Sequence, residues 1–320
     1  MTRIYLDMFY LMLVYYLYFN KFTLALTPPN TVWQLTAALV DSRIYFTGGI
    51  RSPPFQNFFY LNVGKLFKID EPPFVDLGSE AASVPEHAWS TFTHCGHNNS
   101  NLVMFSGISN PDHTNAVYTY DTKLQYPAWR SFFTKNELSN KYSLSVCDKK
   151  TGKMYTFSGI YDEHNNRMDI FDSWIGKWTF SNASIESTPA GRYGYTATLL
   201  PTDIIIYIGG NSNNKGINMD MTNHTTGYTP GAREYHSAVK DGRIIVYGIS
   251  ILKHDDLVIL DTTQQNFTWS TAYVSTTTPT LRNCNSATFV DDYMIVAFWE
   301  DPQYGKELVI LDTSNKSDYK

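Results

Sequence analysis

One short phrase is written six times along the chain, and this repetition constrains the fold more than any other feature. It reads RIYFTGGI at residues 43–50 and returns as LVMFSGI, KMYTFSGI, IIIYIGG, RIIVYGI and YMIVAFW. Aligned on Gly49, successive copies are 58, 52, 51, 39 and 50 residues apart. A period near 50 residues is typical of a β-propeller in which each repeat forms one four-stranded blade.

Each repeat contains the signals of four strands. An alternating small and apolar run, such as YGYTATLL (193–200), predicts the innermost strand. The phrase itself is almost continuously apolar, as in a strand buried on both faces. Glycine ends it in most copies, because a side chain would clash where the chain turns tightly. A third strand such as VYTYDT (117–122) follows, and a later aromatic residue predicts the outermost strand: Trp129, Trp178, Trp269 or Phe74.

The blade formula of glycine pair, aromatic residue and tryptophan resembles the kelch repeat of the galactose oxidase superfamily. The sequence pattern is similar to that of secreted fungal kelch proteins. Four stretches carry the resemblance: PPFVDL (72–77), ATLLPTDIIIYIGG (197–210), REYHSAVKDGRIIVYG (233–248) and NSATFVDDYMIVAF (285–298). The resemblance covers about residues 33–320 and implies an all-β, kelch-type propeller of six blades. These lie near residues 32–77, 88–133, 141–181, 190–230, 232–271 and 281–320.

Two of these blades depart from the pattern. Blade four is short and has no tryptophan, and the last blade lacks a clear outer strand. Only residues 26–31, LTPPNT, are free to close the ring by strand exchange, and they are few and rich in proline. We therefore expect either a loose closure or a chain that is a truncated form of a longer protein.

The N-terminal region predicts export. Arg3 precedes an uncharged apolar run at residues 8–19, and small residues follow at 23–25. This layout is typical of a signal peptide over residues 1–25, which leaves a propeller over 26–320. The alternative is an uncleaved signal anchor in the membrane. N-glycosylation sequons support a secreted glycoprotein and stand at Asn98, Asn182, Asn223, Asn266 and Asn315.

Charge and cysteine content exclude some classes of function. The net charge of −5 argues against nucleic-acid binding, which needs a basic surface. The three cysteines are Cys95, Cys147 and Cys284, so an exported chain keeps at least one thiol unpaired. Their spacing matches no zinc motif, and we expect an apolar core rather than a disulfide framework to hold the fold.

No catalytic residue, metal or cofactor is predicted. The resemblance raises a copper oxidase, but the histidine and tyrosine ligands of galactose oxidase have no matching set here. The Tyr235–His236 pair fits an ordinary hydrogen-bonded histidine at the inner strand. A second cluster could offer metal ligands, but its spacing fits no standard motif and favours a plain turn: His87, His94, Cys95 and His97. Sialidase Asp boxes and a G-x-S-x-G elbow are absent from the sequence.

Binding at one loop face is the function that the sequence favours, with an extracellular protein or carbohydrate as partner. Polar loops after the phrase carry His113, Asp162, Glu163, His164 and His254. Three arginines align before the inner strands, namely Arg192, Arg233 and Arg282. They could capture carboxylates, or pair with an acid on a neighbouring blade and brace the ring. The alternatives to a non-catalytic binding module are an intracellular kelch adaptor and a galactose-oxidase-like or glycan-acting enzyme.

Overall fold

The computed structural model describes residues 33–50, 57–81, 83–96, 100–105, 107–110, 116–133, 143–159, 167–181, 191–212, 225–240, 242–248, 255–274, 286–297, 308–315 and 319–320. Regular structure in these ranges is β-strand, apart from one short 3-10 turn at Gly78–Glu80. No helix in the described ranges has the length and apolar character needed to cross a membrane. The predicted signal peptide, residues 1–25, lies outside them.

The first half of the chain forms three four-stranded antiparallel sheets. Sheet 1 consists of β1 (Trp33–Val40), β2 (Arg43–Ile50), β3 (Phe58–Asn62) and β4 (Phe74–Asp76). After β5 (Glu86–Ala88), sheet 2 consists of β6 (Thr91–His94), β7 (Asn101–Phe105), β9 (Ala116–Asp121) and β10 (Trp129–Phe133). Strand β8 (Ile108–Asn110) pairs with β5. Sheet 3 consists of β11 (Ser145–Asp148), β12 (Lys153–Phe157), β13 (Met168–Asp172) and β14 (Lys177–Phe180).

The second half is less regular. Strand β15 (Arg192–Tyr193) pairs with β18 (Asn211–Ser212), and sheet 4 consists of β16 (Thr196–Leu199) and β17 (Ile205–Ile208). Sheet 5 consists of β20 (Ser237–Lys240), β21 (Arg243–Tyr247), β22 (Leu257–Asp261) and β23 (Phe267–Thr271). Strand β19 (Thr225–Gly227) joins its outer edge, parallel to β23. Sheet 6 consists of β24 (Ser286–Val290), β25 (Tyr293–Ala297) and β26 (Leu308–Asp312).

The sheets are arranged as a β-propeller. Their first strands contact one another in cyclic order, from β1 through β6, β11, β16, β20 and β24 back to β1. Five of the sheets, 1, 2, 3, 5 and 6, have three or more strands and are the blades of the described residues. The prediction of six blades is not confirmed, because sheet 4, at the centre of the predicted fourth unit, has only the two strands β16 and β17 in the described residues. Residues 213–224 of this unit lie outside the described ranges.

The second strands explain why the repeated phrase is continuously apolar. Ile44 and Phe46 of β2 belong to a cluster shared with sheet 6, whereas Tyr45 between them faces a cluster shared with sheet 2. Strand β25 does the same, with Ile295 packed toward sheet 1 and Met294 toward sheet 5. Because each second strand is covered by a neighbouring blade on both faces, alternating polarity would bury polar groups without partners.

The aromatic residues predicted in the outermost strands lie there and pack across blade boundaries. Trp129 is in β10, and its ring centroid is 5.1 Å from that of Phe58 in sheet 1. Trp178 is in β14, and its ring lies 4.7 Å from that of Phe105 in sheet 2. These rings cover apolar surface that two sheets share, so the spacing of Trp after the third strand is a packing requirement.

The glycine pair at the end of the phrase has the role predicted for it. At Gly48, with φ +77°, a Cβ would lie 2.6 Å from both Cδ2 and the carbonyl oxygen of His87 in the following repeat. At Gly210, with φ +89°, a Cβ would lie 2.7 Å from the carbonyl oxygen of Tyr193 in its own repeat. The first glycine of a pair, such as Gly48, therefore allows the following blade to pack closely. The second, such as Gly210, allows close contact with the segment that precedes the inner strand of its own repeat.

Closure between sheets 6 and 1 is tightly packed, against the expectation of a loose closure. Leu35 and Phe46 share one buried cluster with Ile295 and Leu308. The outer edge of sheet 6 is also paired: Lys320 donates its N–H to the carbonyl of Asp312 at 3.2 Å and accepts from the Asp312 N–H at 2.7 Å. Within the described residues, the contact between sheets 6 and 1 thus rests on side-chain packing.

Candidate functional site

A cavity of about 200 Å³ opens where the first strands begin, around the centre of the ring. Every sheet contributes to its lining, with Thr36, Ser90, Leu144, Thr196, Ser237 and Ser286 as one representative each. Small and hydroxyl-bearing residues predominate because the inner strands crowd together at the axis. The inner ends of all the sheets thus form one shared site.

Four lining residues occupy the same place in their repeats and share a left-handed backbone. They are Gln34 (φ 64°), Trp89 (φ 52°), Gly194 (φ 63°) and Tyr235 (φ 52°), each two residues before the hydroxyl residue that begins or lies in the inner strand. This conformation suits glycine and costs other residues about 1–2 kcal/mol. Trp89 and Tyr235 are half-buried, so two large rings are held at the cavity in a backbone conformation that disfavours them.

Gly194 makes room for one of these rings. A Cβ on Gly194 would lie 3.2 Å from Cε1 of Tyr235, and the Tyr235 N–H donates to the Gly194 carbonyl at 2.8 Å. The Tyr235 ring is also 6.4 Å from that of Tyr193, at an interplanar angle of 47°. The ring of Tyr235 therefore lies against Tyr193 and Gly194 of the preceding repeat, at the cavity edge.

His236 lies next to Tyr235 at the start of sheet 5 and is buried. Its Nε2 is 3.0 Å from Oγ1 of Thr196 on the neighbouring inner strand, so its interpretation as a hydrogen-bonded histidine is confirmed. Burial, reinforced by the positive charge of Arg233, lowers the pKa of His236 to about 3. The ring is therefore neutral near pH 7. Within the described residues, His236 Nδ1 and Ser90 Oγ are buried without a hydrogen-bond partner.

The two described arginines of the predicted set are internal braces. Arg192 donates from Nη1 to the carbonyl of Gly209 at 3.3 Å, and Arg233 donates in the same way to Gly248 at 3.3 Å. Both carbonyls belong to glycines that end a phrase. This shared contact explains why the arginines align, and it directs the guanidinium groups into their own repeats.

Arg233 is fully buried and paired with Asp255. Its Nη2 lies 2.9 Å from Asp255 Oδ1 and donates to the Asp255 carbonyl at 3.0 Å. Asp255 also accepts from the Gly231 N–H at 2.8 Å. We expected a bracing arginine to find its acid on a neighbouring blade, and this is wrong for Arg233, because Asp255 precedes β22 in the same sheet. The positive charge of Arg233 is therefore paired with a carboxylate inside the fold.

Two members of the histidine and cysteine cluster of sheet 2 have structural roles, and His97 lies outside the described ranges. Cys95 forms a disulfide with Cys147. His87 is buried, with Nε2 3.2 Å from Thr47 Oγ1 and Nδ1 2.9 Å from the Pro85 carbonyl. Burial lowers its pKa to about 4. The described residues bring no three potential metal-ligating side chains together.

The disulfide joins two neighbouring inner strands. Cys95 directly follows β6 and Cys147 lies in β11. The odd cysteine count did not predict which pair would form. The repeat alignment could have predicted the Cys95–Cys147 pair, because it puts both residues near the same end of adjacent inner strands.

The remaining predicted loop residues, namely His113, Asp162, Glu163, His164, His254 and Arg282, lie outside the described ranges. The sequons Asn98, Asn182 and Asn223 lie outside them as well, whereas Asn266 and Asn315 are described and exposed. Both follow the third strand of their sheet. Because the third strand runs parallel to the first in an antiparallel sheet, its end lies on the face opposite the cavity.

Comparison with known proteins supports the fold and nothing finer. A scan of known protein families finds none that matches the chain. Among solved structures, that of YjhT is similar, with 13% sequence identity and a TM-score of 0.61 over 91% of this chain and 97% of that one. At this identity the likeness concerns the arrangement of the sheets alone, and it agrees with a β-propeller.

Proposed function

We propose that this chain is an extracellular, kelch-type propeller of six blades that binds a protein or carbohydrate through its cavity face without catalysis. The observation that carries the proposal is the shared cavity, which combines hydroxyl groups from every sheet with aromatic rings from sheets 2, 4 and 5. A concave site with apolar walls and a few polar groups is the usual form of a binding site.

The size of the cavity favours a ligand that inserts one small group. Its volume of about 200 Å³ is below the ~300–1,000 Å³ of typical small-molecule pockets. A single side chain or sugar unit fits this scale. The surrounding loops would contact the rest of a larger ligand, since recognition residues are often found on loops held by a rigid scaffold.

The chemistry of the described lining favours binding over catalysis. General acid–base catalysis works best with a pKa near the working pH, and His236 is far below it at about 3. Burial also raises the pKa of Tyr195, whose hydroxyl donates to the backbone carbonyls of Leu144 and Phe157. Groups with pKa values shifted in these directions are better suited to hold hydrogen bonds than to exchange protons near neutral pH.

Export is supported by the disulfide and by the exposed sequons. The Cys95–Cys147 bond is of a kind that persists in oxidising compartments. Glycans at Asn266 and Asn315 would cover the face away from the cavity and leave the binding face open. The signal peptide over residues 1–25 directs the chain outward in this proposal, with an uncleaved anchor as its alternative.

The sixth blade is built on sheet 4 in this proposal. Strand β16 contacts β11 on one side and β20 on the other, as an inner strand of a complete ring would. Strand β15 pairs with β18 as β5 pairs with β8 in the second repeat. This shared pairing supports a common, kelch-like plan for the two repeats.

Expression of the full chain in a eukaryotic secretory host tests the proposal. We expect secreted protein that begins near Leu26, carries N-glycans, and binds a panel of extracellular proteins or glycans equally well after enzymatic removal of its own glycans. An unprocessed, sugar-free protein retained in the cell would favour the intracellular adaptor. Copper bound to the secreted protein, with turnover of a sugar substrate, would favour the enzyme.

A further inference from the structure

We infer that the cavity takes an uncharged, hydroxyl-rich group, the terminal unit of a neutral glycan, and discriminates against acidic sugars. This inference rests on the proposed function, since it names the ligand of the same face. It follows from three properties of the described lining: its lack of charge, its two buried polar atoms, and its two strained aromatic residues.

The first property is electrostatic. The described residues that line the cavity include no Asp, Glu, Lys or Arg. The only imidazole among them, His236, is neutral because burial and Arg233 lower its pKa to about 3. The nearby charge of Arg233 is paired with Asp255 at 2.9 Å. A carboxylate brought into this cavity would lose its hydration without an opposite charge among the described lining residues to replace it, which is strongly unfavourable.

The second property is hydrogen-bonding capacity. Ser90 Oγ and His236 Nδ1 are buried in the lining and have no hydrogen-bond partner within the described residues. They belong to different sheets, and each occupies the position after the left-handed residue. Both atoms are shielded from solvent, so a ligand hydroxyl reaches them only when the side chains of Ser90 and His236 shift toward the cavity. A hydroxyl group both donates and accepts, so it then suits either atom, whichever nitrogen of His236 carries the proton. A purely apolar group would leave them unsatisfied.

The third property is the placement of Trp89 and Tyr235. Both keep a φ of 52°, although Gly194 shows that a glycine fits the same place without strain. Backbone strain retained at a concave site is a reason to look for a function of the side chain. Aromatic rings combine a large apolar face with a polar edge, which suits the C–H faces and hydroxyls of an uncharged sugar.

The experiment compares matched pairs of oligosaccharides that differ only in whether the terminal unit is a neutral hexose or its uronic acid. We expect the secreted, full-length protein to bind the neutral member about tenfold or more tightly, with little change up to high salt. Tyr235→Gly should weaken neutral binding about tenfold without loss of folding, because glycine adopts the same φ freely. Tyr126→Gly changes an 82% exposed tyrosine beyond β9 and should leave binding unchanged.

The outcomes separate this inference from the proposed function. Equal or tighter binding of the acidic member, or affinity that falls steeply with salt, overturns the neutral-ligand inference. Binding of an extracellular protein with no glycan bound also overturns it, but leaves the proposed binding module standing. If neither proteins nor glycans bind, both proposals fail. Ser90→Ala provides a second variant: we expect weaker neutral binding, and unchanged affinity would contradict the role of that hydroxyl.

Discussion

At the scale of single residues, the glycines that end the second strands combine a backbone requirement with a steric one. Gly209 has φ +61°, and a Cβ there would overlap the carbonyl oxygen of Arg233 and lie 2.8 Å from Cε1 of His236. Gly242 has φ +72°, yet a Cβ there would meet no atom within 4 Å. A comparison of substitutions at Gly209 and Gly242 therefore separates the cost of backbone strain from the cost of steric overlap between neighbouring repeats.

We predict that Gly209→Ala destabilises the fold much more than Gly242→Ala. The control substitution should cost about 1–2 kcal/mol of unfolding free energy from the left-handed conformation alone. Gly209→Ala should cost roughly 3 kcal/mol or more, because backbone atoms of the next repeat must also move. Urea denaturation of both variants measures the difference, and equal losses would show that the overlap is relieved at little cost.

Two buried histidines predict how stability depends on pH. Burial lowers the pKa of His87 to about 4, and burial together with Arg233 lowers that of His236 to about 3, from an ordinary value of 6.5. The unfolded chain therefore binds more protons below pH 6.5. Stability is fully present above pH 6.5 and falls by about 1.4 kcal/mol per pH unit for each histidine as the pH drops toward 4.

Substitution by an uncharged residue isolates this effect from that of the carboxylates. Between pH 6 and 4.5, His236→Gln should reduce the slope of unfolding free energy against pH by about 1.4 kcal/mol per unit, and His87→Gln should do the same. Chemical denaturation at a series of pH values provides the measurement. A variant slope identical to that of the original protein would mean that the histidine becomes protonated without unfolding.

At the scale of elements, the Cys95–Cys147 disulfide ties the inner strands of sheets 2 and 3 across 52 residues of sequence. A crosslink that closes a loop of this length stabilises by about 4 kcal/mol in the chain-entropy description. We predict that the double variant Cys95→Ser, Cys147→Ser melts at a markedly lower temperature, and that reductant lowers the melting temperature of the original protein toward it. Cys284→Ser is the control, and a shift of equal size in that variant would contradict the assignment.

The elements also show where sequence reasoning succeeds. The second strands and Trp129, Trp178 and Trp269 were predictable because their packing repeats in several blades, so the pattern appears in the sequence at a similar spacing. The left-handed backbone of Trp89 and Tyr235 was not, since large aromatic residues seldom adopt it and only the aligned Gly194 hinted at it.

Contacts between residues far apart in the sequence also limited what could be predicted. The alignment of Arg192 with Arg233 correctly implied a shared position. The direction of both side chains depended on where the phrase-ending carbonyls lie in space, and for Arg233 also on Asp255, which is 22 residues away along the chain, beyond β20 and β21. The cavity is a similar case, because it exists only when residues from all the sheets meet.

At the scale of the whole molecule, ring closure depends on an apolar interface that has the same design as its neighbours. Ile295 in β25 packs toward sheet 1, and Ile245 at the matching place in β21 packs toward sheet 6. Both are buried, at 5% and 0% exposure. If the ring is closed in solution, the interface between sheets 6 and 1 should be as important to stability as that between sheets 5 and 6.

We therefore predict that Ile295→Ala and Ile245→Ala each cost about 3 kcal/mol and leave one cooperative unfolding transition, since every blade is held on both sides. Far-UV circular dichroism and tryptophan fluorescence, followed through the same urea titration, measure the loss and test whether the two signals coincide. A ring that is open between sheets 6 and 1 gives a different result. Ile295→Ala would then cost far less than Ile245→Ala, because removing a side chain from a solvated edge leaves no cavity behind.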